Sequence, residues 1–114
     1  MTPEAYVGER RRGQLIVMRV PEGTRLTPER SLKLANHSPS GFESGYCGSG
    51  PAQLALALLL DYTDDEDIAL AAYMAFKNEV VSRLECSGPE QRWRLTGSEI
   101  KAVIGAKTGE LIAP

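Results

Sequence analysis

The stretch Gly45–Leu60, GYCGSGPAQLALALLL, decides how the rest of the chain is read. Its first seven residues hold three glycines and a proline, and the run after Pro51 is apolar except for Gln53. Proline is tolerated in the first turn of a helix, where its missing N–H has no partner to lose. The stretch therefore predicts a helix from about Pro51 to Tyr62, with Ser49 or Gly50 as its N-cap. A helix that is apolar on nearly every face is buried on several sides. We read it as the central helix of the fold.

Towards the N-terminus, Tyr6–Arg12 and Gln14–Val20 flank Gly13. The second run puts Leu15, Val17 and Arg19 on one face and Ile16, Met18 and Val20 on the other, so the pair reads as a β-hairpin. Pro21-Glu22-Gly23 is a turn, and Arg25–Pro28 a short extended piece. Leu32 and Leu34 alternate with Lys33, which predicts a third strand over Ser31–Asn36. A long connection rich in turn formers follows, with Phe42 and Tyr46 as the aromatics that would pack it down.

Towards the C-terminus, Thr63-Asp64-Asp65-Glu66 has capping-box spacing and opens a second helix. Its stripe of Ile68, Ala72, Phe76 and Val80 extends to Leu84, and Ser87-Gly88-Pro89 ends it. Arg92–Leu95 alternates as a strand with Trp93 and Leu95 inward. Thr96-Gly97-Ser98-Glu99 is another capping box, opening a helix with Ile100, Val103 and Ile104 inward and Gly105 as its stop. Strands first and helices after predict an α+β fold. A small antiparallel sheet, the N-terminal hairpin plus further short strands, packs against about three helices, one of them central and buried.

The chain of 114 residues, 42% apolar, fits one domain over residues 1–114, with a core at about 5–104 and a loose tail at 105–114. Its net charge of −2 gives no strong attraction to nucleic acid, although the first half is slightly basic and the second acidic. The apolar run Leu54–Leu60 falls short of the ~20 residues of a membrane span, and Met1–Ala5 does not begin a secretory leader. We expect a cytoplasmic protein with no membrane partner, and Cys47 and Cys86 as reduced thiols. Two cysteines and one histidine do not make a four-ligand zinc site without carboxylates, so we expect no metal and no cofactor.

The central stretch also carries a resemblance. The chain supplies Asn36, His37, Ser38, Pro39, Gly41 and Phe42, then Gly45, Tyr46, Gly48, Ser49, Gly50, Pro51, Ala52 and Gln53. Later come Tyr73, Phe76 and Lys77, then Trp93, Leu95 and Thr96. In this order they resemble the motif NHSPxGF…GYxGSGPAQLALA and its sequels in a small family of uncharacterised bacterial, haloarchaeal and phage proteins, over about residues 5–104. The resemblance implies the location of a site and no chemistry. Ser44 stands where relatives carry an aromatic, and Cys47 where they carry glycine, which argues against Cys47 as a nucleophile common to the family.

Candidate sites follow from these residues. Gly48–Gly50 at a helix start offers unpaired backbone N–H groups to a small anion, with His37, Tyr46, Ser49 and Gln53 around it. The pattern is no P-loop, because no lysine follows the glycines, and its spacing is not a dinucleotide fingerprint. The alternative is a close-packed turn. His37 with Cys47, and Ser49 nearby, is an arrangement suited to nucleophilic catalysis; it shows no strong third partner, although Asn36 and Glu43 are near in sequence. Arg10, Arg11 and Arg12 with Arg19, Arg25 and Arg30 would form a basic strip for phosphates, or a solvated one. Asp61–Asp67 lacks the spacing of a calcium loop and reads as helix capping. The function we expect is a non-enzymatic binding or interaction module, whose Asn36–Gln53 loop meets a small anionic ligand or a protein partner; the resemblance to phage proteins implies a phage–host or anti-defence setting. A small enzyme using His37 and Cys47, and a nucleic-acid accessory protein using the Arg-rich hairpin, are the alternatives.

Overall fold

A computed structural model describes residues 2–39, 41–86 and 91–107. The hairpin forms as its pattern requires: β1 (Ala5–Arg11) pairs antiparallel with β2 (Gln14–Val20), Arg11 opposite Gln14. That register leaves a two-residue turn, Arg12-Gly13, with φ of 52° and 80°. Turns of this kind need φ > 0 at both positions, because only then does their twist match that of the strands. Two further strands, β3 (Arg25–Leu26) and β4 (Arg92–Thr96), complete a four-stranded antiparallel sheet in the order β3-β2-β1-β4. The fold is α+β.

Helices cover one face of the sheet. These are α1 (Glu29–Leu32), α2 (Ser49–Thr63), α3 (Glu66–Glu79) and α4 (Gly97–Lys107). Every residue of α2 from Gly50 to Leu60 is buried. It lies in one core with Tyr6, Leu15 and Val17 of the hairpin, Trp93 and Leu95 of β4, Ala69, Ala72 and Phe76 of α3, and Ile100 and Ile104 of α4. The central helix is thus as buried as its composition demands.

Five sequence expectations are corrected. Ser31–Asn36 is not a strand: Pro28 takes helical dihedrals, Ser31 Oγ donates to the Pro28 carbonyl at 2.8 Å, and a single turn, α1, results. Its Leu32/Leu34 alternation was too short to distinguish the two periods. The central helix starts two residues early, with Gly48 and not Ser49 or Gly50 at its N-cap and no side-chain capping bond. The cap of α3 is Asp65, whose carboxylate accepts the Ile68 N–H at 3.0 Å. Thr63 instead finishes α2, its hydroxyl donating to the Leu59 carbonyl at 2.6 Å.

The second helix stops at Glu79 and not at Leu84. Val80 leaves helical dihedrals, and a single 3₁₀ turn at Val81–Arg83 buries Val81, whose carbonyl accepts both the Leu84 N–H that closes the turn, at 3.1 Å, and the Gly45 N–H of the loop, at 3.0 Å. Finally, α4 runs through Gly105. The capping box at Thr96 forms as read: the Glu99 N–H donates to Thr96 Oγ1 at 3.1 Å and the Thr96 N–H to Glu99 Oε1 at 3.0 Å. The expected stop at Ser87-Gly88-Pro89 and the tail beyond Lys107 lie outside the described residues.

Candidate functional site

The loop between α1 and α2 is held from below by Gln53. A carboxamide in an apolar interior costs several kcal/mol, roughly 2–7, unless every polar atom is paired. Gln53 is 0% exposed and meets that condition. Its oxygen accepts the His37 N–H at 2.7 Å and the Ser38 N–H at 3.0 Å. Its nitrogen donates to Ser31 Oγ at 2.7 Å and to the Ala35 carbonyl at 3.1 Å. Both ends are therefore occupied within the protein. The His37 ring, half-buried, tilts against Tyr73 of α3, with Nε2 2.8 Å from the Tyr73 hydroxyl. Gln53 and His37 together bridge loop, α2 and α3.

Further along, the loop alternates inward and outward residues. Phe42 enters the core. The Arg10 guanidinium donates to both Glu43 oxygens, at 2.7 and 3.1 Å, tying the loop to the hairpin. Ser44 is buried and accepts the Trp93 indole N–H at 3.1 Å. This is what the chain does with the position where the resemblance implies an aromatic. Gly50 lies directly under Glu43: a Cβ there would come within 2.7 Å of Glu43 Cβ. The glycine at this position is a close-packed crossing of loop over helix. The same holds at Gly48, where a Cβ would sit 2.7 Å from the Tyr46 ring.

What points outward is Tyr46, Cys47 and Ser49. Of the packing expected of the loop aromatics, Phe42 provides it and Tyr46 does not. Tyr46 is 52% exposed, and the other large exposed hydrophobics among the described residues are Leu70 at 43% and Met74 at 46%. Residues four apart share a helix face, so Leu70, Met74 and Asn78 form one row on α3. Cys47 Sγ lies 3.7 Å from Asn78 Oδ1, joining that row to the Tyr46 end of the loop. Leu70 and Met74 were missed in the sequence; the signal was two long apolar side chains, spaced i and i+4, off the core stripe of α3.

The other sequence candidates are dispersed. No hydrogen bond joins His37 to Cys47 among the described residues; each has a different partner on α3. Both cysteines are free thiols, and burial raises the pKa of Cys86. The arginines do not form an open strip. Arg10 pairs with Glu43, Arg11 with Glu9, Arg19 with Asp61 and Arg30 with Asp64. Tyr6 and Arg19, direct cross-strand partners, both bond Asp61 at the end of α2, Tyr6 Oη at 2.7 Å and the guanidinium at 2.7–3.0 Å. Burial first, and then the Asp61 carboxylate, push the Tyr6 hydroxyl pKa up. The Asp61–Asp67 run serves this trio and the α3 cap. Among the described residues no group of three or more His, Cys, Asp or Glu side chains is placed to hold a metal ion, and no helix is long and apolar enough to cross a membrane.

The braced loop lies within a span, residues 6–106, that is matched by one family model. The chain belongs to a family of unknown function, DUF6166. The match takes in both ends of the site, from the hairpin that holds Glu43 to the helix that carries Leu70 and Met74. No curated protein and no solved structure matches the chain.

Proposed function

We propose that this chain is a non-enzymatic interaction module of the cytoplasm that docks a protein partner on the surface formed by Tyr46, Cys47, Leu70 and Met74. The observation that carries the reading is the exposure of Tyr46, Leu70 and Met74 on a loop and a helix that meet at the Cys47–Asn78 contact. Exposed aromatic and Met side chains grouped on a rigid support are the usual anchors of protein interfaces. The loop that carries Tyr46 is tied down at three places, by Gln53 of α2 at the His37 N–H, by Arg10 at Glu43 and by Trp93 at Ser44.

A protein partner is favoured over a small anion. Glu43 covers Gly50 at the helix start, so a carboxylate-bearing side chain already occupies the approach an anion would use. The remaining residues of the loop site play supporting parts. His37 and Gln53 hold the loop, Gly48 seats Tyr46, and Ser49 borders the surface. The two free thiols accord with a cytoplasmic setting.

The test is affinity capture from cells of the source organism, with the wild-type chain compared with a Tyr46→Ser/Met74→Asp variant of unchanged circular dichroism. A partner held by the wild type should be weakened on the order of thirtyfold, the loss of about 2 kcal/mol at an anchor residue. Partners bound equally by both chains would overturn the assignment of this surface. A raised melting temperature with phosphate or a small carboxylate, abolished by Gly50→Val, would return the site to an anion.

A further inference from the structure

The outer face of α3 is self-complementary. The buried residues of the helix are Ala69, Ala72 and Phe76. At 3.6 residues per turn, Leu70, Ala71 and Met74 fall on the opposite side, and all three are exposed. Charge changes sign along this face. Its first turn carries Glu66 and Asp67, both exposed, and its last turn carries Lys77. None of these three is in an ion pair among the described residues.

The neighbouring charges leave that polarity in place. At the acidic end Asp64 pairs with Arg30, and Asp65 caps the helix. Lys101 of α4 borders Ile68, on the flank away from Leu70. At the basic end Glu79 comes two residues after Lys77 and so lies on the other side of the helix. Arg83 and Glu85, beyond the helix, are of opposite sign.

We propose that the partner of this face is a second copy of the same chain, with the two α3 helices antiparallel across a twofold axis midway between Leu70 and Met74. The proposal rests on the reading of the Tyr46–Met74 surface as a docking surface and names its occupant. Counted outward from the axis, Leu70 of each copy meets Met74 of the other, and Glu66 and Asp67 of each meet Lys77 of the other. Ala71, next to the axis, lets the backbones approach. Cys47 touches Asn78 near the end of α3, so the Tyr46 loop of each copy lies towards the first turns of the other copy's helix. The helix dipoles also run antiparallel. A parallel pair would set the acidic turns against each other and Lys77 against Lys77, which opposes association. Twofold pairing of one patch with itself is the commonest way for a chain to associate. The helix has 14 residues and is about 21 Å long, so with Tyr46 it buries less than the roughly 1,200–2,000 Å² of a standard interface. The dimer is therefore weak and reversible, with a dissociation constant on the order of 0.1 mM.

Sedimentation equilibrium of the full chain over rising concentration tests the proposal, with every variant checked by circular dichroism. The wild type should pass reversibly from monomer to dimer. Met74→Asp should weaken the dimer at least about tenfold, because each change counts twice across the axis. Lys77→Glu alone, and Glu66→Lys/Asp67→Lys alone, should each weaken it about fivefold. The chain carrying all three charge reversals should recover most of the wild-type affinity, which loss of folding or a parallel arrangement would not produce. A chain that stays monomeric up to about 1 mM overturns the second copy as partner and leaves the docking surface to the capture experiment. A dimer indifferent to Met74→Asp overturns the proposal and shows that copies meet elsewhere. So does a triple reversal that binds no better than the weaker of its parts.

Discussion

Gln53 and His37 are joined across sixteen positions of sequence by a 2.7 Å hydrogen bond from a main-chain N–H to a buried carboxamide oxygen. Gln53→Leu keeps the volume and removes all the bonds at once. The His37 and Ser38 N–H groups, Ser31 Oγ and the Ala35 carbonyl then lose their shared partner. The expected cost is on the order of 3 kcal/mol in chemical denaturation. A loss under 1 kcal/mol would mean that the brace is dispensable and Gln53 free for another role.

Helix capping separates two positions that look alike in sequence. Asp65→Ala should destabilise by about 1 kcal/mol, because Asp65 accepts the Ile68 N–H. Ser49→Ala should stay within about 0.5 kcal/mol, because α2 starts at Gly48 without a side-chain cap. Urea denaturation of both variants compares them directly, and a larger loss at Ser49 than at Asp65 would contradict the observed caps.

Two glycines should respond with opposite sign. Gly8 and Trp93 are cross-strand partners, and a Cβ on Gly8 would fall inside the indole, 2.1 Å from Cε2. Gly8→Ala should therefore cost about 3 kcal/mol through displacement of a buried ring. Gly105 lies in α4 with nothing within 4 Å of its would-be Cβ. Gly105→Ala should stabilise by roughly 0.5–1 kcal/mol, because alanine loses less backbone freedom in a helix. Melting temperatures that move in the same direction for both would refute this account.

Alkaline pH should weaken the fold. Burial raises the pKa of Cys86 above its ordinary value of 9.0, and burial with the Asp61 bond raises that of Tyr6 above 10.0. Between those ordinary values and the raised ones the unfolded chain has lost protons that the folded chain retains, so stability falls as pH rises. Denaturation should give a flat stability between about pH 6 and pH 9 and a decline above it. The decline should be shallower in Tyr6→Phe, which also loses the bond to Asp61 and about 1–2 kcal/mol at neutral pH. An equal alkaline slope in both proteins would rule out Tyr6 as a source.

Residues Leu54–Leu60, the alternation of Leu15 and Val17, and the Thr96–Glu99 spacing specified by themselves a buried helix, a hairpin and a capped last helix. Each of these rests on a period or a cap written within a few neighbouring residues, and local physics suffices for it. The Gly-rich loop was legible as a conspicuous place and not as a device. Its glycines allowed two readings, ligand-facing backbone or a close-packed turn; in the structure Gly50 lies beneath Glu43 and Gly48 beneath Tyr46. Only the tertiary structure brought Arg10 to Glu43, Trp93 to Ser44 and Asp61 to Tyr6 and Arg19. It also joined the 3₁₀ turn after α3 to a loop distant in sequence, through the Gly45 N–H on the Val81 carbonyl. Partners so far apart leave no periodic trace in the chain; their pairing follows from how the sheet and helices pack, and that packing decides which polar groups are occupied and which side chains remain exposed to a partner.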